Sequence, residues 1–166
     1  AIEIGLRALD VGPGDEVITT PMTAFATVLA IVRAGATPVL ADIDPRTALL
    51  APESVERCIT SQTRAVVLVH LYGQIRDMDN WVELCARHGI ALLEDCAQAH
   101  LAEWNGKVAG SFGRAGAYSF YPTKNLGAFG EAGAVTTSDP VVADRIRVLR
   151  NYGSRVRYEN EEVGYN

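Results

Sequence analysis

Two side chains in this sequence are placed to do chemistry together, Lys124 and Asp95. Lys124 lies in the run SFYPTKNLGAFG, flanked by Pro122, Gly127 and Gly130, so its backbone is constrained and a bulky ligand can approach it closely. A lone lysine in a loop is ordinarily a solvated charge. Partly desolvated, it becomes an amine nucleophile able to form an imine with an aldehyde. Asp95 directly follows ALLE, where a buried strand delivers its last side chains. A carboxylate there is costly unless it is paired with a cation or well hydrogen-bonded. Capping the helix that follows is the plain alternative; a pyridinium nitrogen would be a cationic partner of the right kind.

The elements that must position these groups alternate in type. From residue 1 to about 150, β-rich apolar runs exchange with helical patterns, the signature of βαβ units and a mostly parallel sheet covered by helices. Ile2, Leu6 and Leu9 fall at helical spacing. Gly12-Pro13-Gly14-Asp15 is a turn signal, and residues 16–19 read as a strand. A helix from about Thr23 to a C-cap at Gly35 is expected, then a buried strand over residues 38–42. Pro52 and Glu53 fit the first turn of another helix, and residues 65–71 (AVVLVHL) read as a central strand buried on both faces. Asp77 is expected to cap a helix running to Gly89, followed by a short strand at 90–93. Asn105-Gly106 marks a tight hairpin. Residues 115–121 and 133–137 read as two further strands around the lysine loop, and Pro140 opens a helix to about Leu149. Polar residues just after buried strands of such a sheet face the ligand crevice, which singles out 70–74, 94–100 and 119–130.

A chain of 166 residues that is 48% apolar can build one sizeable core. The formal charge of −5, with no long basic run, argues against a nucleic-acid or membrane surface and favours a soluble cytosolic protein. Cys58, Cys85 and Cys96 have no C-x-x-C spacing, so reduced core thiols are expected rather than a disulfide framework or a zinc cluster. No apolar run approaches the ~18 residues of a membrane span, and the first residues lack the pattern of an export signal. The sequence opens inside a helical pattern without an initiator Met, so it is expected to begin within a longer protein. Residues 1–150 are read as one α/β domain, and 151–166 (NYGSRVRYENEEVGYN) as an exposed excursion.

In order and spacing, GPGDEVITTP, GATPVLADID, VHLYGQ, EDCAQAH and SFGRAGAYSFYPTKNLGAFGEAGAV resemble the DegT/DnrJ/EryC1/StrS aminotransferases over essentially the whole chain. The resemblance implies the large domain of a fold-type I pyridoxal-phosphate enzyme, a mostly parallel sheet flanked by helices. It implies that Lys124 carries pyridoxal 5′-phosphate as a Schiff base and shuttles protons. Asp95 would pair with the pyridinium nitrogen and keep the ring able to accept electrons. Gln98, three residues on and so on the same side of a helical turn, would hydrogen-bond the phenolic oxygen. Ser119 would bind the phosphate, and Asn166, of a GYN motif, would reach the phosphate of a partner subunit. Ala24, with Phe25 beside it, stands where relatives often stack an aromatic ring on the cofactor. Leu101 and Ala132 replace glycines frequent in relatives. His70, His100 and Tyr121 are weaker candidates, since a histidine near a crevice is more often structural. Phe120 and Phe129 are expected to pack in the core or on their loop.

The implied activity is ping-pong amino transfer from glutamate or glutamine to a keto sugar, nucleotide-linked as the substrates of relatives mostly are, by a homodimer with shared active sites and no metal. Three alternatives are a catalytically incomplete fragment or remnant, a cyclitol aminotransferase, and a sugar dehydratase. The last is expected to carry histidine at the lysine position, which Lys124 disfavours. The Gly-Thr pair that relatives carry before the first helix, and their small C-terminal domain, lie outside these residues.

Overall fold

The computed structural model describes residues 1–165. In chain order the elements are α1 (Ile2–Ala8), β1 (Glu16–Thr19), α2 (Phe25–Ala34), β2 (Thr37–Leu40), α3 (Pro52–Cys58), β3 (Thr63–Val69), a short 3₁₀ turn (Leu71–Gly73), α4 (Met78–His88) and β4 (Ala91–Asp95). Then come β5 (Glu103–Trp104), β6 (Lys107–Val108), β7 (Ala115–Ser119), β8 (Gly133–Thr136), α5 (Pro140–Leu149), β9 (Ser154–Val156) and β10 (Glu159–Asn160). Among the described residues a six-stranded sheet runs β2-β1-β3-β4-β7-β8. Its pairs are parallel except the last, where β8 runs antiparallel to β7.

Alternation along the buried strands builds two cores, one on each face. Val17, Ala65, Val67 and Leu93 pack with Leu6 of α1 and Ile31 of α2. Their neighbours Ile18, Val66, Leu68 and Leu92 point the other way, onto Val55 of α3 and Trp81 and Leu84 of α4. A period of two with both faces apolar is why β3 reads as an unbroken hydrophobic run. Each fully buried Val or Leu contributes roughly 1.5–3 kcal/mol of transfer free energy. Helix α5 packs through Val142, Ile146 and Leu149 beside Ala8 of α1.

Local signals act where they were read. Gly35 ends α2 in the left-handed conformation, at φ 92°. Pro52 opens α3 at its first turn, and Asn105 and Gly106, at φ 51° and 76°, turn the β5–β6 hairpin. Asp139 caps α5, its side chain accepting from the N–H groups of Val141 and Val142.

Several expectations are corrected. The strand placed at 38–42 as buried is β2, the sheet's edge, with Thr37 and Leu40 exposed. An edge position is what tolerates Pro38, which has no N–H for a ladder. Asp77 precedes α4 but stands in the left-handed region at φ 54° and makes no side-chain cap. The helix expected after Asp95 is one tight turn, closed by the Ala99 N–H on the Cys96 carbonyl at 3.0 Å. Strand β7 ends at Ser119, ahead of Tyr121. Phe129 packs against nothing and is fully exposed. The segment after Asn151 is largely exposed; it contains the β9–β10 hairpin and returns to the end of α5, where Tyr165 N–H donates to the Leu149 carbonyl at 2.7 Å. No helix among the described residues is long and apolar enough to cross a membrane.

Candidate active site

At the carboxyl end of the sheet, the first turn of α2, the end of β4, the end of β7 and the loop joining β7 to β8 surround a cavity of about 630 Å³. Lys124 and Asp95 both line it, with Ala24, Thr27, Ser119 and Tyr121. The sheet topology causes this meeting, because parallel strands deliver their last side chains to one end.

Asp95 closes β4 and is 5% exposed. One carboxylate oxygen accepts from the Thr27 hydroxyl at 2.8 Å, and the other from the Ala97 N–H at 3.1 Å. The turn-capping and ligand-facing readings of Asp95 therefore describe one geometry, since each oxygen keeps lone pairs after a single bond. Lys124 is half-buried on its loop. The loop is drawn tight by Phe120 N–H to the Ala132 carbonyl, Ala128 N–H to the Phe120 carbonyl and Lys124 N–H to the Tyr121 carbonyl, each 2.8 Å. Gly127 is required there, because a Cβ would lie 2.5 Å from the Pro122 carbonyl oxygen. Ser119 accepts from the Tyr121 N–H at 3.3 Å with its hydroxyl oxygen, so its proton is free to turn to a ligand.

Other candidates stand elsewhere. Gln98 is partly buried outside the cavity lining, and its side-chain oxygen accepts from the Tyr72 N–H at 2.8 Å. Phe25 is 75% exposed and does not line the cavity, whereas Ala24 does. His100 sits against the rings of Tyr118 and Phe120, both of its ring nitrogens buried and without a hydrogen-bond partner. Asn166 lies outside the described residues. Leu101, exposed, takes φ 60°, a conformation a glycine adopts freely.

Two residues that shape the site were given no role in the sequence reading. Thr27 is the hydroxyl under Asp95. Glu94, wholly buried on the opposite face of β4, accepts from His70 Nε2 at 2.9 Å and from the N–H groups of Gly110, Phe112 and Gly113 at 2.8 Å each. Burial alone would raise its pKa, but these bonds, led by that from His70, hold it below the usual carboxylate range. His70, Glu94 and Cys96 cluster closely enough to suggest a metal site. Each Glu94 oxygen, however, already takes two donors, and burial pushes the Cys96 thiol far up. The cluster is therefore a structural staple holding residues 110–113 to the sheet. Paired carboxylates ending one buried strand were the available signal, since alternation sends them to opposite faces.

This sheet is that of the large domain of a fold-type I pyridoxal-phosphate-dependent transferase. Residues 1–166 match the model of the DegT/DnrJ/EryC1/StrS aminotransferase family, and the chain belongs to that family. It is 51% identical over its whole length to a pleiotropic regulatory protein of Geobacillus stearothermophilus, covering 45% of that protein. It is 49% identical to a dTDP-3-amino-3,4,6-trideoxy-alpha-D-glucose transaminase of Streptomyces venezuelae, again over its whole length and covering 44% of the relative. The crystal structure of S. venezuelae DesV in complex with a ketimine intermediate superposes with a TM-score of 0.96 at 49% identity, over 99% of this chain and 44% of that one. The chain thus spans about half the length of the relatives it matches.

The residues present fit pyridoxal phosphate. The cavity offers an amine, a buried carboxylate with lone pairs to spare and a hydroxyl at a strand end. Alanines 24, 97 and 117 in its walls leave room for a ring, and its volume falls within the ~300–1,000 Å³ of small-molecule sites.

Proposed function

We propose that the protein carrying this chain is a pyridoxal-phosphate-dependent aminotransferase that moves an amino group from glutamate or glutamine to a keto sugar, nucleotide-linked, in two ping-pong half-reactions. The observation that carries the reading is the convergence of Lys124 and Asp95 on one cavity. The family match and the transaminase relative support it. When bound, pyridoxal phosphate supplies an electrophilic carbon for amines and an electron sink for the carbanion left by proton removal.

The chain's own residues then have distinct tasks. Lys124 Nζ would hold the cofactor covalently through its lone pair. As a free amine it would serve as the base that takes a proton from one carbon and returns it to another. Its short, cinched loop limits the excursion of that nitrogen, which keeps proton donor and acceptor within reach. Asp95 would place negative charge at the ring nitrogen, where a buried carboxylate is worth most to a cation. Ser119 is assigned a phosphate oxygen, and Gln98 the cofactor's phenolic oxygen through its amide group, whose own oxygen already holds Tyr72.

The same reading includes a homodimer. It is supported by exposed apolar side chains at the start of α2 and on the loop that carries Lys124, among them Phe25, Leu126 and Phe129. Asn166 is assigned to the partner's phosphate site, and the reaction to the cytoplasm.

Transfer is tested with glutamate and glutamine, each ¹⁵N-labelled at the α-amino group and each incubated with the intact protein, pyridoxal phosphate and a nucleotide-linked keto sugar. The expected result is label in the sugar's new amine by mass spectrometry. Label that stays in the amino acid across a panel of keto sugars and cyclitols, with cofactor bound, would contradict the activity.

A further inference from the structure

Thr27 Oγ1 is the only side-chain atom hydrogen-bonded to Asp95 among the described residues, at 2.8 Å, and it belongs to a directed chain. A second hydroxyl, that of Thr23, lies 2.9 Å from it. A hydroxyl has one proton, and an ionised carboxylate only accepts. Thr27 therefore spends its proton on Asp95, and Thr23 must donate to Thr27. The order Thr23 to Thr27 to Asp95 follows from that count. Thr23 lies just before Ala24, the extended N-cap, and Thr27 in the first turn of α2, so the chain's entry into the helix brings the two hydroxyls together. Thr27 is 2% exposed and packs where α2 meets the end of β4.

We propose that Thr27 is a positioning residue for the cofactor's ring nitrogen, acting through Asp95, with Thr23 as the outer member of the relay. The inference rests on the reading of Asp95 as the partner of a pyridinium. A carboxylate held by one bond per oxygen, from Thr27 and from the Ala97 N–H, has its plane fixed against rotation. Its remaining lone pairs then point in a set direction before the ligand arrives. A preset carboxylate loses little freedom on binding a cation, which raises affinity for that cation in particular. The Thr23 hydroxyl polarises that of Thr27 in the same sense.

The test compares Thr27→Val, which keeps the shape and removes the hydroxyl, with Thr27→Ser, which keeps the hydroxyl. The intact protein is titrated with pyridoxal phosphate and, separately, with its carbocyclic analogue bearing C–H in place of the ring nitrogen. Dissociation constants are read by fluorescence quenching. Thr27→Val is expected to weaken pyridoxal phosphate about tenfold, the equivalent of one charge-assisted hydrogen bond, and to leave the analogue within about twofold. Thr27→Ser is expected to recover most of the loss. A merely structural role would weaken both ligands alike, and that result overturns the proposal, as does a Thr27→Val protein that binds pyridoxal phosphate like the wild type. Should Thr27→Val not fold, Thr23→Val removes the outer donor. It is expected to weaken pyridoxal phosphate two- to threefold with the analogue unchanged, and equal effects on both ligands overturn the relay. A wild type that binds the analogue as tightly as pyridoxal phosphate, or binds neither, refutes the cofactor reading of Asp95 itself, and the inference falls with it.

Discussion

Glu94 offers a sharp test of how the crevice is held in shape. Its carboxylate receives four donors, His70 Nε2 and the N–H groups of Gly110, Phe112 and Gly113. In Glu94→Gln the amide oxygen can still serve Phe112 and Gly113, which share one carboxylate oxygen. The amide NH₂ then faces His70 and the Gly110 N–H. His70 can change tautomer and accept; the Gly110 N–H cannot, and is left buried against another donor. An orphaned N–H costs ~1–3 kcal/mol and the lost charge assistance about 1 more, so Glu94→Gln should lose roughly 2–4 kcal/mol. Glu94→Ala strands all three N–H groups and should lose more, on the order of 4–6 kcal/mol. That is a large share of the ~5–15 kcal/mol of a typical domain. Because the folded pKa of Glu94 lies below its ordinary value of 4.5, the unfolded chain binds the proton more readily. Its contribution is therefore full above about pH 4.5 and lost as pH falls through the folded pKa. Urea denaturation of the intact protein at pH 7 and at steps below pH 4.5 measures both effects. The gap between wild type and Glu94→Gln should narrow as the pH drops. A loss under about 1 kcal/mol at pH 7 for both variants would refute the staple.

Two further outcomes follow from the same geometry. Leu101→Gly relieves a non-glycine residue at φ 60° on the surface and should stabilise by up to about 1 kcal/mol, seen as a raised Tm; an unchanged or lowered Tm contradicts it. Burial pushes the Cys85 thiol up to about 12 and Cys96 further, while Cys58 is partly exposed. Iodoacetamide at pH 8 should therefore label Cys58 first, with Cys85 and Cys96 protected until the protein unfolds. Labelling of Cys96 in the native protein at the rate of Cys58 would count against the packing behind Asp95.

What was legible in the sequence is what is local or doubly marked. Gly35, Pro52 and Asn105-Gly106 impose backbone geometry by themselves, and each terminates or turns the chain where its chemistry requires. The buried run of β3 announces a central strand because apolar residues on successive positions need cover on both faces. Strand order is not local. Apart from Pro38, nothing in residues 37–40 tells that β2 is an edge, because that depends on β1 turning its other side to β3. Asp77 carries the right side chain for a cap, yet its backbone takes a left-handed turn that points it away. The same division runs through the site. Lys124 and Asp95 were legible by motif and by position after strands. Thr27 was not, because its partner lies 68 residues away and only the packing of α2 on β4 brings them together. Glu94 was passed over beside the more conspicuous Asp95, since its donors come from a loop 16 to 19 residues on and from His70.

The central claim is that Lys124 bonds covalently to pyridoxal phosphate in the cavity it shares with Asp95. The direct measurement is to incubate the intact protein with pyridoxal phosphate, reduce with borohydride and map the modified peptide by mass spectrometry, beside Lys124→Ala treated the same way. The account predicts one pyridoxyl group, on Lys124, and none on the variant. A modification spread over surface lysines, or one that persists in Lys124→Ala, would contradict it.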